Sequence, residues 1–258
     1  MSRVQALLWD VDGTMAETER DGHRVAFNEA FEALGLPWRW SEDDYGHWLH
    51  ITGGPERVQH FIAHQSGAPA LLGERKALAQ RLHQLKNERY AARVGAGVIE
   101  LRPGVRELMT EALAAGLRLA ITTSTSRSNL DALMQRHFGK AWHRDFAVAV
   151  CHEDVDARKP DPAVYLQALA RLKLPALACV AIEDTPGGTA AARAADVPVI
   201  VTRSHYFAHA PIEGAIAIGP GLDQRLGWTP ALPAAPGGVG LSDVLAWAAD
   251  MNLVSQFG

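Results

Sequence analysis

Apolar residues along this chain follow two different periods, and the switch between them divides it. Val4, Ala6, Leu7, Leu8 and Trp9 form a nearly unbroken apolar run, as in a strand buried on both faces, and it stops abruptly at Asp10-Val11-Asp12-Gly13-Thr14. Helical spacing then takes over: Phe27, Ala30, Phe31 and Leu34 fall at i, i+3, i+4 and i+7, and Gly35 and Pro37 end the run. The same reasoning predicts a helix over 56–64 and another built on Leu78, Leu82 and Leu85 as far as Tyr90, so that 17–94 read as helices with no strand.

Gly95-Ala96-Gly97 breaks the helical pattern, and strands and helices alternate from there. Helices are expected over 105–115, 130–138, 163–172 and 189–195. Strands are expected over 117–122, 146–150, 179–182 and 197–201, with a weaker one at 215–218. Such alternation builds right-handed βαβ units on a mostly parallel sheet. The expected fold is therefore α/β: a doubly wound, mostly parallel, Rossmann-like sheet whose chain, 1–16 and 98–221, is interrupted by an all-helical insertion, 17–97. An insertion hinged just after Asp12 hangs over the carboxyl edge of the sheet, where a lid belongs. The Pro/Gly-rich 219–240 reads as an irregular surface connection within a tail, 222–258, that ends in a short helix with Ser242 as N-cap.

Charge and cysteine content narrow the function classes. With 25 basic and 29 acidic residues, net charge −4 and no long block of one sign, neither a nucleic acid nor a membrane surface is an expected partner. The two cysteines, Cys151 and Cys179, lie in or beside apolar runs and read as buried free thiols. No apolar stretch approaches spanning length and the first residues lead straight into a strand, so a cytoplasmic protein is expected, acting as a monomer.

Polar residues just past the strand ends suggest the chemistry. Asp10 and Asp12 follow the first strand, Thr122 to Thr125 the second, Lys159-Pro160 comes after the third, and Glu183-Asp184 follow the fourth. Taken singly, each has an ordinary explanation: a polar turn, a helix N-cap cluster, a solvated lysine before the Asp161-Pro162 helix start. Together they suit phosphoryl transfer from a monoester. A carboxylate such as Asp10 can attack phosphorus and split one hard displacement into two easier ones. Mg²⁺ takes oxygen ligands, which Asp10, the Asp12 carbonyl and Asp184 can offer. The Asp12 carboxylate is then left to protonate the leaving alkoxide and later activate water, while Thr123 and Lys159 hold the equatorial oxygens.

This set resembles the four motifs of haloacid-dehalogenase (HAD) superfamily phosphatases: Asp10-Val11-Asp12-Gly13-Thr14, Thr123, Lys159-Pro160, and Glu183-Asp184-Thr185-Pro186-x-Gly188. The resemblance implies that Asp10 is nucleophile and metal ligand, Asp12 general acid/base and carbonyl ligand, Asp184 a metal ligand with Glu183 beside it, and the helical insertion the family's small cap. Glu17-Thr18-Glu19, His23-Arg24, Thr52-Gly53-Gly54, Glu56-Arg57, Lys86 and Glu88-Arg89 further resemble the CbbY-like branch. That branch removes the 1-phosphate of xylulose 1,5-bisphosphate, and the likeness implies a small phosphorylated sugar as ligand. It makes Glu19, His23, Thr52, Gly53, Gly54, Arg57, Lys86, Arg89, Ser124 and Asn129 candidate substrate contacts, with Arg24 a further basic residue nearby. Pro55 departs from the branch, which has lysine there; proline brings neither charge nor N–H. Two alternatives share these motifs: a β-phosphoglucomutase-like sugar phosphomutase, and a non-catalytic phosphate-binding regulator. Dehalogenation leaves Asp12 without a task.

Overall fold

β1 (Ala6–Trp9) lies in the middle of a six-stranded, all-parallel sheet in the order β3-β2-β1-β4-β5-β6. Its neighbours are β2 (Arg118–Thr122) and β4 (Cys179–Glu183); β3 (Phe146–Val150) lies outside β2, and β5 (Val199–Thr202) and β6 (Ala217–Gly219) complete the other side. The computed structural model describes residues 4–51 and 53–254.

Side chains of β1 alternate between two cores, as the strand period requires. Leu7 and Trp9 enter a core shared with α5 (Val105–Ala114), α6 (Arg127–Phe138) and α9 (Leu241–Val254). Ala6 and Leu8 enter the other, with α7 (Ala163–Leu172) and α8 (Pro186–Ala194). No residue of β1 is exposed, which explains a run with no polar alternation. Cys151 and Cys179 are buried free thiols; burial pushes Cys151 up to about 12 and Cys179 to about 11.

Among the described residues no strand lies between β1 and β2. A six-residue π-helical stretch, Thr18–His23, runs directly into α1 (Arg24–Ala33), followed by α2 (Glu42–Trp48), α3 (Gly54–Ala63) and α4 (Leu72–Gly95). These helices have their own core of Phe27, Phe31, Trp40, Tyr45, Phe61 and Leu82. Phe31 packs edge-on to Trp40 at 5.1 Å, and Phe61 does so at 4.8 Å.

Several boundaries differ from the sequence expectation. The seven-residue α2 was not anticipated: only Tyr45 is buried, so it has no apolar stripe, and its signal is the Ser41–Asp44 capping box instead. α4 reaches well beyond 78–90 because its stripe is thin, with Lys86 occupying a place between Leu82 and Tyr90. α8 begins at Pro186, three residues before the expected 189, its N-cap Thr185 accepting from the Gly188 amide at 2.9 Å. Ser242 is not the cap of α9: the helix already starts at Leu241, and Asp243 accepts from the Gly240 amide at 3.0 Å. The stretch read as a surface connection puts Leu222, Trp228 and Val239 into the core, with Trp228 stacked on Trp247 at 4.9 Å. Proline and glycine had hidden any period there.

The two crossings into and out of the helical segment meet beside the end of β1. The Arg102 amide donates to the Met15 carbonyl at 2.7 Å, and the Arg102 guanidinium reaches the carbonyls of Gly13 (2.5 Å), Thr202 (3.1 Å) and Arg203 (2.7 Å). One charged group thus ties the turn after β1, the return crossing and the end of β5 together. No helix of the described residues is long and apolar enough to cross a membrane.

Candidate active site

Parallel register places Trp9 opposite Ile121 and Ile182, so Asp10, Thr122 and Glu183 come next at one level of the sheet. The Asp10 amide donates to Ile182 and the Thr123 amide to Val150, both at 3.0 Å, continuing the ladder one residue past the strands. Lys159, on the segment leading to α7, reaches into this row. Its Nζ donates to Asp10 Oδ1 at 2.7 Å, Glu183 Oε1 at 2.5 Å and the Thr122 carbonyl at 2.9 Å. Tyr165 on α7 donates to the same Glu183 oxygen at 2.5 Å. Asp184 accepts from Ser204 at 2.5 Å and Thr14 at 3.2 Å.

Burial and charge pull against each other here. Burial raises Asp10 to about 7 despite Lys159, and burial together with the Asp10 and Glu183 carboxylates holds Asp184 well above its usual range. Burial also opposes the Lys159 ammonium, but its two carboxylate partners outweigh this and hold it well above the usual lysine range. Ligand oxygens of Asp10, Glu183 and Asp184 lie within 4.8 Å of one another. An all-oxygen, anionic donor set whose charges repel fits a hard divalent cation.

Gly13 makes this approach possible. Its φ is +85°, and a Cβ there would lie 2.1 Å from Asp184 Oδ2. Gly13→Ala is therefore expected to cost more than about 1 kcal/mol of stability and to weaken divalent-metal binding. Thermal melts with and without Mg²⁺ check this, and a wild-type melt with a wild-type metal-induced shift would show that Asp184 does not need the space.

Asp12 faces the helical segment instead. One carboxylate oxygen accepts from Thr18 at 2.5 Å and from His23 Nε2 at 3.1 Å, and the His23 ring stacks on Tyr90 at 4.3 Å. Burial pushes Asp12 up, but His23, Thr18 and the Lys86 charge outweigh it and bring it down to about 2. Further out, Tyr45 donates to Glu19, Arg57 donates to the Tyr45 hydroxyl at 2.8 Å, and Arg57 lies 3.6 Å from Glu19. Lys86 donates to Asn87 Oδ1 at 3.3 Å and lies over the Phe27 and Tyr90 rings at 5.5 and 5.6 Å. Burial lowers Lys86 to about 8 in spite of Glu19 and Asp12.

A single cavity of about 710 Å³ separates these two walls. It is lined by Asp10, Asp12, Thr123, Ser124, Asn129 and Lys159 from one side, and by Glu19, His23, Gly53, Gly54, Arg57 and Lys86 from the other. Besides the bonds from Thr18 and His23 to Asp12, the walls are joined by Asn129 Nδ2 to Asn87 Oδ1 at 3.2 Å and by Arg158 to Glu56 at 3.0 Å. Gly53, at φ +98°, leaves room for Arg158, whose Nη1 would lie 1.8 Å from a Cβ. Pro55 falls in the first turn of α3, where a missing N–H costs no helical bond.

Two of the candidates from sequence stand apart from the cavity. Arg89 is exposed and does not share the cavity wall: Lys86 and Tyr90 set the buried face of α4, and Arg89 falls beside it. Arg24 turns to Glu42, 3.5 Å away, and to the Trp40 carbonyl. Thr52 lies outside the described residues. Sequence reasoning passed over Tyr45, Asn87, Tyr165 and Ser204. Ser204 carried a usable signal, being a polar residue just past a strand; the other three sit on helices whose facing is set by packing.

The chain matches the family described as haloacid dehalogenase-like hydrolase over residues 4–196. It is 45% identical over 220 residues to the plasmid-encoded protein CbbY of Cupriavidus necator, covering 85% of this chain and 86% of that protein. Among solved structures, CbbY from Rhodobacter sphaeroides in complex with phosphate superposes with a TM-score of 0.76 at 42% identity, covering 82% of this chain and 92% of that one. A D10N mutant of that protein, solved in complex with xylulose-(1,5)bisphosphate, matches with the same score, identity and coverage.

Proposed function

The chain belongs to the haloacid dehalogenase-like hydrolases, and on that premise we propose that it is a Mg²⁺-dependent phosphatase acting on a sugar bisphosphate such as xylulose 1,5-bisphosphate. One observation carries the reading: a single cavity has a carboxylate row with Lys159 at one end and the buried cations Arg57 and Lys86 at the other. A ligand anionic at both ends suits that arrangement, and relatives whose solved structures contain phosphate and xylulose bisphosphate support it.

In this reading, 17–97 form a cap over the core. Asp10, Asp184 and the Asp12 carbonyl would hold the metal, with Glu183 beside them; when bound, it supplies positive charge against the phosphoryl oxygens. Asp10 attacks phosphorus and forms an aspartyl-phosphate as the sugar alkoxide leaves. Asp12, a carboxylate before substrate binds, takes up a proton as the anionic substrate arrives beside it, gives that proton to the alkoxide, and then takes one from the water that attacks the aspartyl-phosphate. His23 and Thr18 aim Asp12, and Lys159 holds Asp10 while its positive charge lies beside the transferring group. Thr123 and Ser124 stand where equatorial oxygens need donors. Arg57 and Lys86, aligned by Glu19, Tyr45 and Asn87, receive the distal phosphate, and Gly53 and Gly54 bring α3's start close to it.

A phosphate-release screen over sugar mono- and bisphosphates with Mg²⁺ tests this reading. Release from xylulose 1,5-bisphosphate ahead of the monophosphates supports it. Preference for phosphoglycolate overturns the distal-phosphate assignment, and an isomerised hexose phosphate without net release makes the protein a mutase. The protonation of Lys86 gives a second check. It loses its charge above about 8, so kcat/KM for a bisphosphate should fall as pH rises through that value. Lys86→Met should lower kcat/KM throughout and flatten that limb; an alkaline limb unchanged in the variant assigns it to another group.

A further inference from the structure

We propose that the helical segment carries a second metal site, unrelated to the carboxylates, for a transition-metal dication such as Cu²⁺, Ni²⁺ or Zn²⁺, chelated by His60 and His64. Four of the chain's 11 histidines fall between 47 and 64, and their rings surround one indole. Trp48 has the His47 ring at 5.4 Å, His60 at 5.7 Å, His64 at 6.1 Å and His50 at 6.4 Å. The proposed activity uses none of these side chains as a catalytic group.

His60 and His64 are one turn apart at the end of α3, both exposed, with ring centroids 4.6 Å apart. An i, i+4 pair projects from one face of a helix and can bind one ion through two nitrogens. The protonation pattern favours a metal as well. His64 Nδ1 lies 2.9 Å from the His60 carbonyl, and His50 Nδ1 lies 2.7 Å from the His47 carbonyl. A carbonyl only accepts, so each Nδ1 carries the proton and each Nε2 keeps a lone pair. Ligating histidines are held in this way, one ring nitrogen anchored to a backbone oxygen while the other meets the ion.

Imidazole nitrogen selects the ion class. Mg²⁺ prefers oxygen donors and keeps its waters, whereas Cu²⁺, Ni²⁺ and Zn²⁺ take imidazole readily. Waters complete the coordination around the two-point chelate. His50 and His60 border a second cavity of about 420 Å³, which leaves room for those waters beside the pair. His50 also borders the large cavity, which sets the site directly behind the active-site wall.

The test is a Cu²⁺ titration of the untagged full chain in excess Mg²⁺, followed by calorimetry and by tryptophan fluorescence, since Trp48 lies against the pair. One equivalent should bind and quench, and Asp184→Asn should leave this unchanged. His64→Gln removes a direct ligand and should weaken binding at least as much as loss of an outer partner does, roughly tenfold. His60→Gln should do the same. Wild-type titrations for both glutamine variants, absence of a one-equivalent event, or its loss in Asp184→Asn would each overturn the proposal.

Discussion

Asp10→Asn is expected to reduce phosphate release by about 10⁴-fold or more, because an amide cannot take the phosphoryl group and no neighbouring group replaces it. The fold should survive. Asp10 is a buried carboxylate held against Glu183 and Asp184, and an amide of the same shape removes one negative charge from that row. The metal-free variant should therefore melt no lower than wild type. Its pH dependence should also change in a definite direction. The Asp10 carboxyl titrates at about 7 in the native state against an ordinary value of 3.8, so between these values the native protein holds a proton that the unfolded chain has released. Stability of the metal-free wild type accordingly falls as pH rises through that window, and the asparagine variant lacks this contribution. Near-wild-type phosphate release from the purified variant would remove Asp10 as nucleophile. Parallel melting curves against pH for the two proteins would remove the charge argument.

Lys159→Met is expected to cost stability as well as activity. Methionine fills much the same volume, so the loss comes from charge and not from a cavity. Lys159 is the cation shared by Asp10 and Glu183, at 2.7 and 2.5 Å, and its removal leaves buried carboxylates facing one another. Removing one partner of a buried pair costs about 3–5 kcal/mol, or roughly 6–20 °C in Tm for a chain of this size. Adding Glu183→Gln should recover part of that loss, since the two positions interact directly. A single variant that melts with wild type, or a double variant with purely additive losses, would show that the pair contributes little. Together the two experiments separate roles: Asp10→Asn removes chemistry and spares the fold, whereas Lys159→Met damages both.

The difference between what was legible in the chain and what was not follows from the range of the interactions. β1 and α7 were readable to the residue or nearly so because a core run and a clean helical stripe are local patterns. α2 was missed because seven residues with only one tyrosine buried carry no stripe, and the packing of Trp228 and Val239 was missed because prolines and glycines erase periodicity. In the site, Asp10, Asp12, Thr123, Glu183 and Asp184 announced themselves as polar residues at the ends of apolar runs, since a parallel sheet brings all such ends to one edge, and Lys159 as a lysine before the next helix start. Ser204 obeys the same rule and was overlooked.

Sequence by itself therefore determined the sheet, the helical segment between its first two strands and the row of polar residues at the strand ends, because each rests on periodicity and on strand ends that parallel pairing must align. Tertiary structure decided which way each wall faces. Lys86 and Arg89 are three residues apart in one helix and both carry cationic side chains, yet Lys86 borders the cavity and Arg89 does not, because the packing of α4 chooses one face. Arg158 adjoins Lys159 in the chain, but it bonds to Glu56 across the cavity mouth while Lys159 turns inward to Asp10. Asp12 is likewise two residues from Asp10 on the same wall, yet its carboxylate turns away to the helical segment, held by Thr18 and His23. Such choices depend on contacts between segments far apart in the chain, and local pattern carries no information about them.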